Sequence, residues 1–110
     1  MRRAVLIFSI IWPAVALAEN WEPLEAEGIK KALIDKGITY EAATQYFYAS
    51  GRTLYNAGAD SWGYWRVEED RYCSQWPPSD LWACYDMEIS GQSIRFLGEH
   101  GYITIGVLAE

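Results

Sequence analysis

The chain carries one histidine, two cysteines and nine Lys or Arg residues against fifteen Asp or Glu in 110 positions. Each scarcity removes a class of function. One histidine and two thiols are too few for a closed zinc site, and no C-x-x-C pair stands as redox enzymes use it. The histidine, His100, sits between Glu99 and Gly101 in a turn signal, with no G-x-S-x-G or comparable nucleophile context, and reads as a surface residue. No glycine-rich phosphate cradle is present, since Gly98 and Gly101 merely flank that turn. The shortage of positive charge argues against nucleic acid as a partner. At 51% hydrophobic and 15% aromatic, the composition is that of one folded domain rather than a disordered chain.

The first eighteen residues differ in kind from the rest. Arg2 and Arg3 form a basic start, Ala4 to Ile11 is an apolar run, and Ala14-Val15-Ala16-Leu17-Ala18 ends in a small-x-small site. This is the grammar of a secretory signal peptide over residues 1–18, with cleavage expected before Glu19. The apolar stretch is interrupted by Pro13 and is shorter than the ~20 residues a spanning helix needs, so no stable membrane anchor is expected after cleavage. The expected location is periplasmic or secreted. The remaining domain, 19–110, has 92 residues, with 7 basic and 15 acidic groups and a net charge of −8.

Cys73 and Cys84 are the only cysteines, and an even count in an exported chain of this size predicts one disulfide. Pro77-Pro78-Ser79-Asp80 between them is a turn signal, so the flanks should be antiparallel strands. Placing Cys73 opposite Cys84 fixes a register that sets Tyr72 against Tyr85, Gln75 against Trp82 and Arg71 against Asp86. The short closed loop is expected to contribute roughly 3 kcal/mol.

Pro23, Glu25 and Glu27, followed by Lys30, Lys31 and Lys36, suit the two ends of a helix over about 24–36, with Gly37 as its left-handed stop. Ile29 and Leu33 share its apolar face. After Gly37 the period changes to that of strands, placed over 38–41, 44–49, 52–56, 61–67, 71–76, 81–88, 93–97 and 102–108. The short links imply hairpins. The fold class is therefore mainly β: one N-terminal helix and then a 7–8-stranded antiparallel meander, closed as a small barrel or strongly curved sheet. Alternation points Leu81, Ala83, Tyr85 and Met87 inward, then Gly63, Trp65 and Val67, then Ile103, Ile105 and Val107. An interior filled by its own side chains is expected in so small a barrel.

Little in the sequence points to catalysis. Glu68-Glu69-Asp70 lacks the D-x-D-x-D spacing of a calcium loop and reads as a solvated hairpin turn. Asp86 and Glu88 lie two apart on one strand face, where Arg71 is expected to pair with Asp86. No catalytic residue, metal site or cofactor is assigned. The aromatic residues are the one surplus: five Trp and eight Tyr remain in 19–110. Outward Trp62, Tyr64 and Trp82 form a candidate interaction surface for sugar rings or a protein partner. Rings around a small apolar cavity are the alternative.

Gly63-x-Trp65-x-Val67, Tyr72-Cys73-x-x-Trp76, Cys84-Tyr85, Gly91, Ile94-x-Phe96 and the closing Gly101 and Gly106 resemble a family of short exported proteobacterial proteins catalogued as a domain of unknown function. Ile29, Leu33 and Gly37 resemble that family's leading helix motif, and Tyr46 to Gly51 its hairpin. The resemblance implies export and fold but no activity, and its paired cysteines map onto Cys73 and Cys84. The functional expectation is a non-catalytic binding or interaction protein of the cell envelope, its partner an unknown envelope protein or glycan. An inhibitor of a periplasmic hydrolase and an apolar-ligand-binding barrel are the alternatives.

Overall fold

The computed structural model describes residues 20–109, so the expected signal segment 1–18 lies outside the described residues. The elements run β1 (Glu22–Pro23), α1 (Ala26–Leu33), β2 (Lys36–Thr39), β3 (Thr44–Phe47), β4 (Arg52–Asn56), β5 (Asp60–Glu68), β6 (Arg71–Gln75), β7 (Trp82–Ser90), β8 (Ser93–Leu97) and β9 (Ile103–Leu108), with a short 3₁₀ turn at Glu99–Gly101. Strands β2 to β9 form an up-and-down antiparallel barrel of eight strands, closed where β9 pairs with β2 (Ile38–Leu108 and Thr39–Val107). The two-residue β1 adds to the end of β7 that β6 leaves unpaired. Among the described residues no helix is long and apolar enough to cross a membrane.

The expected disulfide and its register are present. Cys73 is bonded to Cys84, Tyr72 lies opposite Tyr85 and Gln75 opposite Trp82. The ladder stops there, because from Asp86 onward β7 pairs with β8. The expected Arg71–Asp86 ion pair does not form; the Arg71 guanidinium donates instead to the Cys84 carbonyl at 3.4 Å. Glu88 takes an arginine from its other neighbour, Arg95, whose Nε donates at 2.9 Å and whose guanidinium lies 4.4 Å over the Trp21 ring.

The helix is shorter than the sequence pattern suggests. It ends at Leu33, and the left-handed residue that turns the chain is Asp35 (φ 58°), not Gly37, which is already in β2. Asp35 is held in place by Phe47 and Tyr46. Its N–H donates to the Phe47 carbonyl at 2.7 Å, and its carbonyl accepts from the Tyr46 hydroxyl at 2.9 Å. At the other end the Ala26 N–H donates to the Asp70 carboxylate at 2.9 Å, so the acidic β5–β6 turn caps the helix. Ile29, Ala32 and Leu33 are buried against Phe47, Trp65, Tyr72 and Met87, which places α1 as a plug across one end of the barrel.

Inward residues follow the expected alternation in β5 and in the second half of β7: Gly63, Trp65, Tyr85 and Met87 face the core side, but Ala83 is exposed, and Leu81 precedes β7 and is 76% exposed. In β9 the alternation is reversed. Ile103, Ile105 and Val107 are 54%, 52% and 49% exposed, while Gly106 is buried opposite Ile94, and Thr104 opposite Phe96 lines the interior. The reason is steric. A Cβ on Gly106 would stand 2.4 Å from Ile38 Cγ2 and 2.9 Å from Tyr40 Cδ1, so this wall position accepts only glycine. Shifting β9 by one residue would drive Ile105 or Val107 into Ile38 and Tyr40.

Gly106→Val is expected to destabilise the fold by about 1–3 kcal/mol through overpacking, whereas Ile105→Thr should change stability by no more than about 0.5 kcal/mol. Urea denaturation of the two variants checks this. The opposite ranking would mean that β9 turns its isoleucines inward.

Candidate functional site

The barrel interior is not filled. Its half nearest α1 is solid, with Phe47 edge-on to Trp65 and Tyr72 at 5.7 and 5.8 Å between ring centroids. Its other half is a cup of about 610 Å³ that opens at the end opposite the helix. The strands that enclose the cup present small side chains inward near the mouth: Ser61, Gly63 and Ser74, with Thr104 and Gly106 across from them. Gly63 serves one neighbour in particular. A Cβ there would lie 2.5 Å from the Trp76 ring, so the indole lies directly on the strand. Ser61, Ser74 and Thr104 leave room that the sequence pattern assigns to packed side chains, whereas the room at Gly63 and Gly106 is taken by Trp76 and by Ile38 and Tyr40.

Rings make up most of the lining. Tyr40, Tyr55 and Trp76 stand in sequence around the wall, at centroid separations of 6.2 and 6.0 Å. Tyr72, Tyr85 and Phe96 form the opposite group, at 5.2–6.4 Å from one another. Their tilted and edge-on arrangements are those that aromatic quadrupoles favour. Trp62 contributes at the mouth.

A buried amide organises the floor. Gln45 is 6% exposed. Its Oε1 accepts from the Tyr40 hydroxyl at 2.8 Å, and its Nε2 donates to Thr53 Oγ1 at 3.0 Å and to Tyr72 Oη at 3.3 Å. Thr53 passes its own proton to the Tyr46 carbonyl at 2.8 Å, and Trp76 Nε1 donates to Ser74 Oγ at 3.1 Å. Burial raises the Tyr40 phenol well above its usual range, and the neighbouring Tyr72, Tyr55 and Tyr85 add to the shift. Burial also pushes Tyr72 up to about 12, against hydrogen bonds from Ser74 and Gln45 that favour its phenolate. Both phenols are therefore neutral at ordinary pH. Among the described residues, no Asp, Glu, Lys, Arg or His lines the cup.

Of the surface residues singled out from the sequence, Trp62 reaches the mouth of the cup, and Tyr64 and Trp82 lie outside it. Trp62 and Tyr64, on β5, are 42% and 46% exposed, and Trp82, on β7, is partly exposed. Two of them are capped by arginines: Arg52 lies 4.1 Å over Trp62, and Arg66 lies 3.9 Å over Trp82. Trp62 also meets Tyr48 at 5.9 Å, but among the described residues no ring contact joins Trp62, Tyr64 and Trp82 to each other. Glu68 lies 3.7 and 3.8 Å from the sulfurs of Cys73 and Cys84, which are bonded to each other and carry no thiolate. His100 is exposed in the 3₁₀ turn, its Nε2 4.0 Å from Glu99.

Tyr40, Gln45, Tyr55, Ser74 and Trp76 are not among the site residues expected from the sequence. A signal for them existed. Inward positions at the mouth end of β5, β6 and β9 include Ser61, Ser74 and Thr104, small polar residues of a wall that leaves room rather than of a packed core.

The sign of the phenol shift sets an alkaline limit. Tyr72 ionises near 10 when unfolded and at about 12 when folded, so the neutral phenol's contribution is complete below about pH 10 and is lost as the pH rises to about 12. Urea midpoints taken across that window should fall, by about 2–3 kcal/mol for this group. Tyr72→Phe should flatten part of that fall, while costing about 1 kcal/mol at neutral pH because Gln45 loses an acceptor. An unchanged alkaline slope in the variant would contradict the assignment.

Comparison with known protein families, with curated proteins and with solved structures finds no match to this chain.

Proposed function

We propose that the protein is an exported, non-catalytic binding barrel that takes up a small organic ligand in its aromatic cup. The observation that carries this reading is the cup itself: a ring-lined space of about 610 Å³, floored by Gln45 and Tyr72 above the core that α1 completes, and open at the other end. That volume is within the range of small-molecule sites, and a mostly aromatic lining with a few placed polar atoms is their usual composition. The absence of any Asp, Glu, His or Lys from the lining, among the described residues, leaves its hydroxyls without a general base, which favours binding over chemistry. Export rests on the signal-like segment, on the resemblance to an exported family and on the disulfide, which suits an oxidising compartment.

A second reading is supported by the outer face. Trp62, Tyr64 and Trp82, with Arg52 and Arg66, are residue types that dominate protein interfaces, and they favour docking of an envelope protein, a glycan or a hydrolase.

The two readings separate by mutation. Ligands from a panel of small organic molecules should quench or shift tryptophan fluorescence, and Trp76→Leu or Tyr55→Leu should weaken their binding by about tenfold or more. Trp82→Leu should leave it unchanged. Loss of binding in Trp82→Leu with full binding in Trp76→Leu would move the function to the outer face.

A further inference from the structure

The up-and-down topology sends alternate connections to opposite ends of the barrel; carboxylates stand at both ends, including the Glu68-Glu69-Asp70 turn that caps the helix, whereas the lysines stand at one end only. Four connections surround the mouth: 40–43 between β2 and β3, 57–59 between β4 and β5, 76–81 between β6 and β7, and 98–102 between β8 and β9. Three of them carry one exposed carboxylate each, Glu41, Asp80 and Glu99; Asp60 opens β5 directly after the remaining one, and none carries Lys or Arg, though the exposed His100 lies 4.0 Å from Glu99. The lysines Lys30, Lys31 and Lys36 all belong to α1 or to the start of β2, at the plugged end. An anion approaching the mouth meets repulsion and, inside the cup, no cationic partner.

The interior has the same preference without any charge of its own. The protons of Tyr40, Gln45, Thr53 and the Trp76 indole are engaged within the wall. These four offer inward only oxygen lone pairs and electron-rich ring faces, while the hydroxyls of Tyr55, Tyr85, Ser61 and Thr104 can turn a lone pair inward as readily as a proton. Such a surface attracts positive charge. It suits a weakly hydrated cation in particular, because no carboxylate stands inside to replace a tight hydration shell.

Resting on the cup reading above, we propose that the ligand is an organic cation, an alkylated ammonium whose head group sits among Tyr40, Tyr55 and Trp76 below the acidic rim. The rim concentrates the cation and speeds its entry; the rings hold it. The two roles are separable, since rim attraction is screened by salt and ring contact is not.

Choline and its uncharged carbon isostere, neohexanol, are the probes that isolate the charge. With the disulfide-intact protein, calorimetry and tryptophan fluorescence should give choline an affinity at least about tenfold above neohexanol. Trp76→Leu and Tyr55→Leu should each reduce choline binding by about tenfold, with the fold verified by circular dichroism. Replacing the rim carboxylates (Glu41→Gln, Asp60→Asn, Asp80→Asn and Glu99→Gln together) should slow choline association several-fold and flatten its salt dependence, while neohexanol binding stays as it was. Equal or tighter binding of neohexanol, lost in Trp76→Leu, would overturn the cationic assignment and leave the small-ligand reading standing. Binding of neither probe, together with no hit from the panel of neutral and anionic molecules, would overturn both.

Discussion

The structure depends on what the barrel does with its two ends. An eight-stranded wall encloses a space that can either be packed or hold a guest, and here it does one at each end. Ile29, Ala32 and Leu33 of α1 enter the lower half and complete a core with Phe47, Trp65 and Met87. That insertion is secured from the wall itself, by the Asp70 carboxylate at the helix start and by Asp35 at its exit. With the apolar core concentrated at the plugged end, the mouth half is free to carry small side chains, and the cup follows from them.

Polar burial within the barrel obeys the same division. Gln45 has every amide proton matched, and the phenols around it remain neutral because burial opposes their ionisation. A satisfied network of this kind holds the rings at fixed tilts without placing a charge in the interior. The charges that the chain does carry are displaced to the rim, to the outer face and to the helix. Carboxylates stand at both ends: Glu41, Asp60, Asp80 and Glu99 near the mouth, with no lysine or arginine in its connections, and Glu27, Asp35, Glu69 and Asp70 at the plugged end together with all three lysines.

Much of the wall was legible in the sequence. Turn residues at short intervals mark hairpins, and Cys73 opposite Cys84 predicts the Tyr72–Tyr85 and Gln75–Trp82 pairs that are present. These are local relations, in which partners a few residues apart decide each other's position. The failures share the opposite character. Ile103, Ile105 and Val107 look like an inward stripe, yet they face solvent because Ile38 and Tyr40, more than sixty residues earlier in the chain, occupy the space that Gly106 leaves. The Arg71–Asp86 pair is absent because β7 exchanges β6 for β8 as its partner beyond Tyr85. Trp62, Tyr64 and Trp82 stand out as a motif, whereas the cup residues are spread over seven strands and show no spacing of their own.

The sequence by itself determined the class of the fold, its one disulfide, the hairpin order and the excess of aromatic rings over what a small core needs. Alternation and turn chemistry act over a few residues, and such information survives in a linear string. Tertiary structure alone decided which face of β9 looks inward, that the interior is half open, and that Tyr40, Tyr55 and Trp76 share a wall. Those outcomes depend on the closure of β9 against β2 and on the helix entering from one end. Both are contacts between distant parts of the chain, whose steric consequences no local pattern contains.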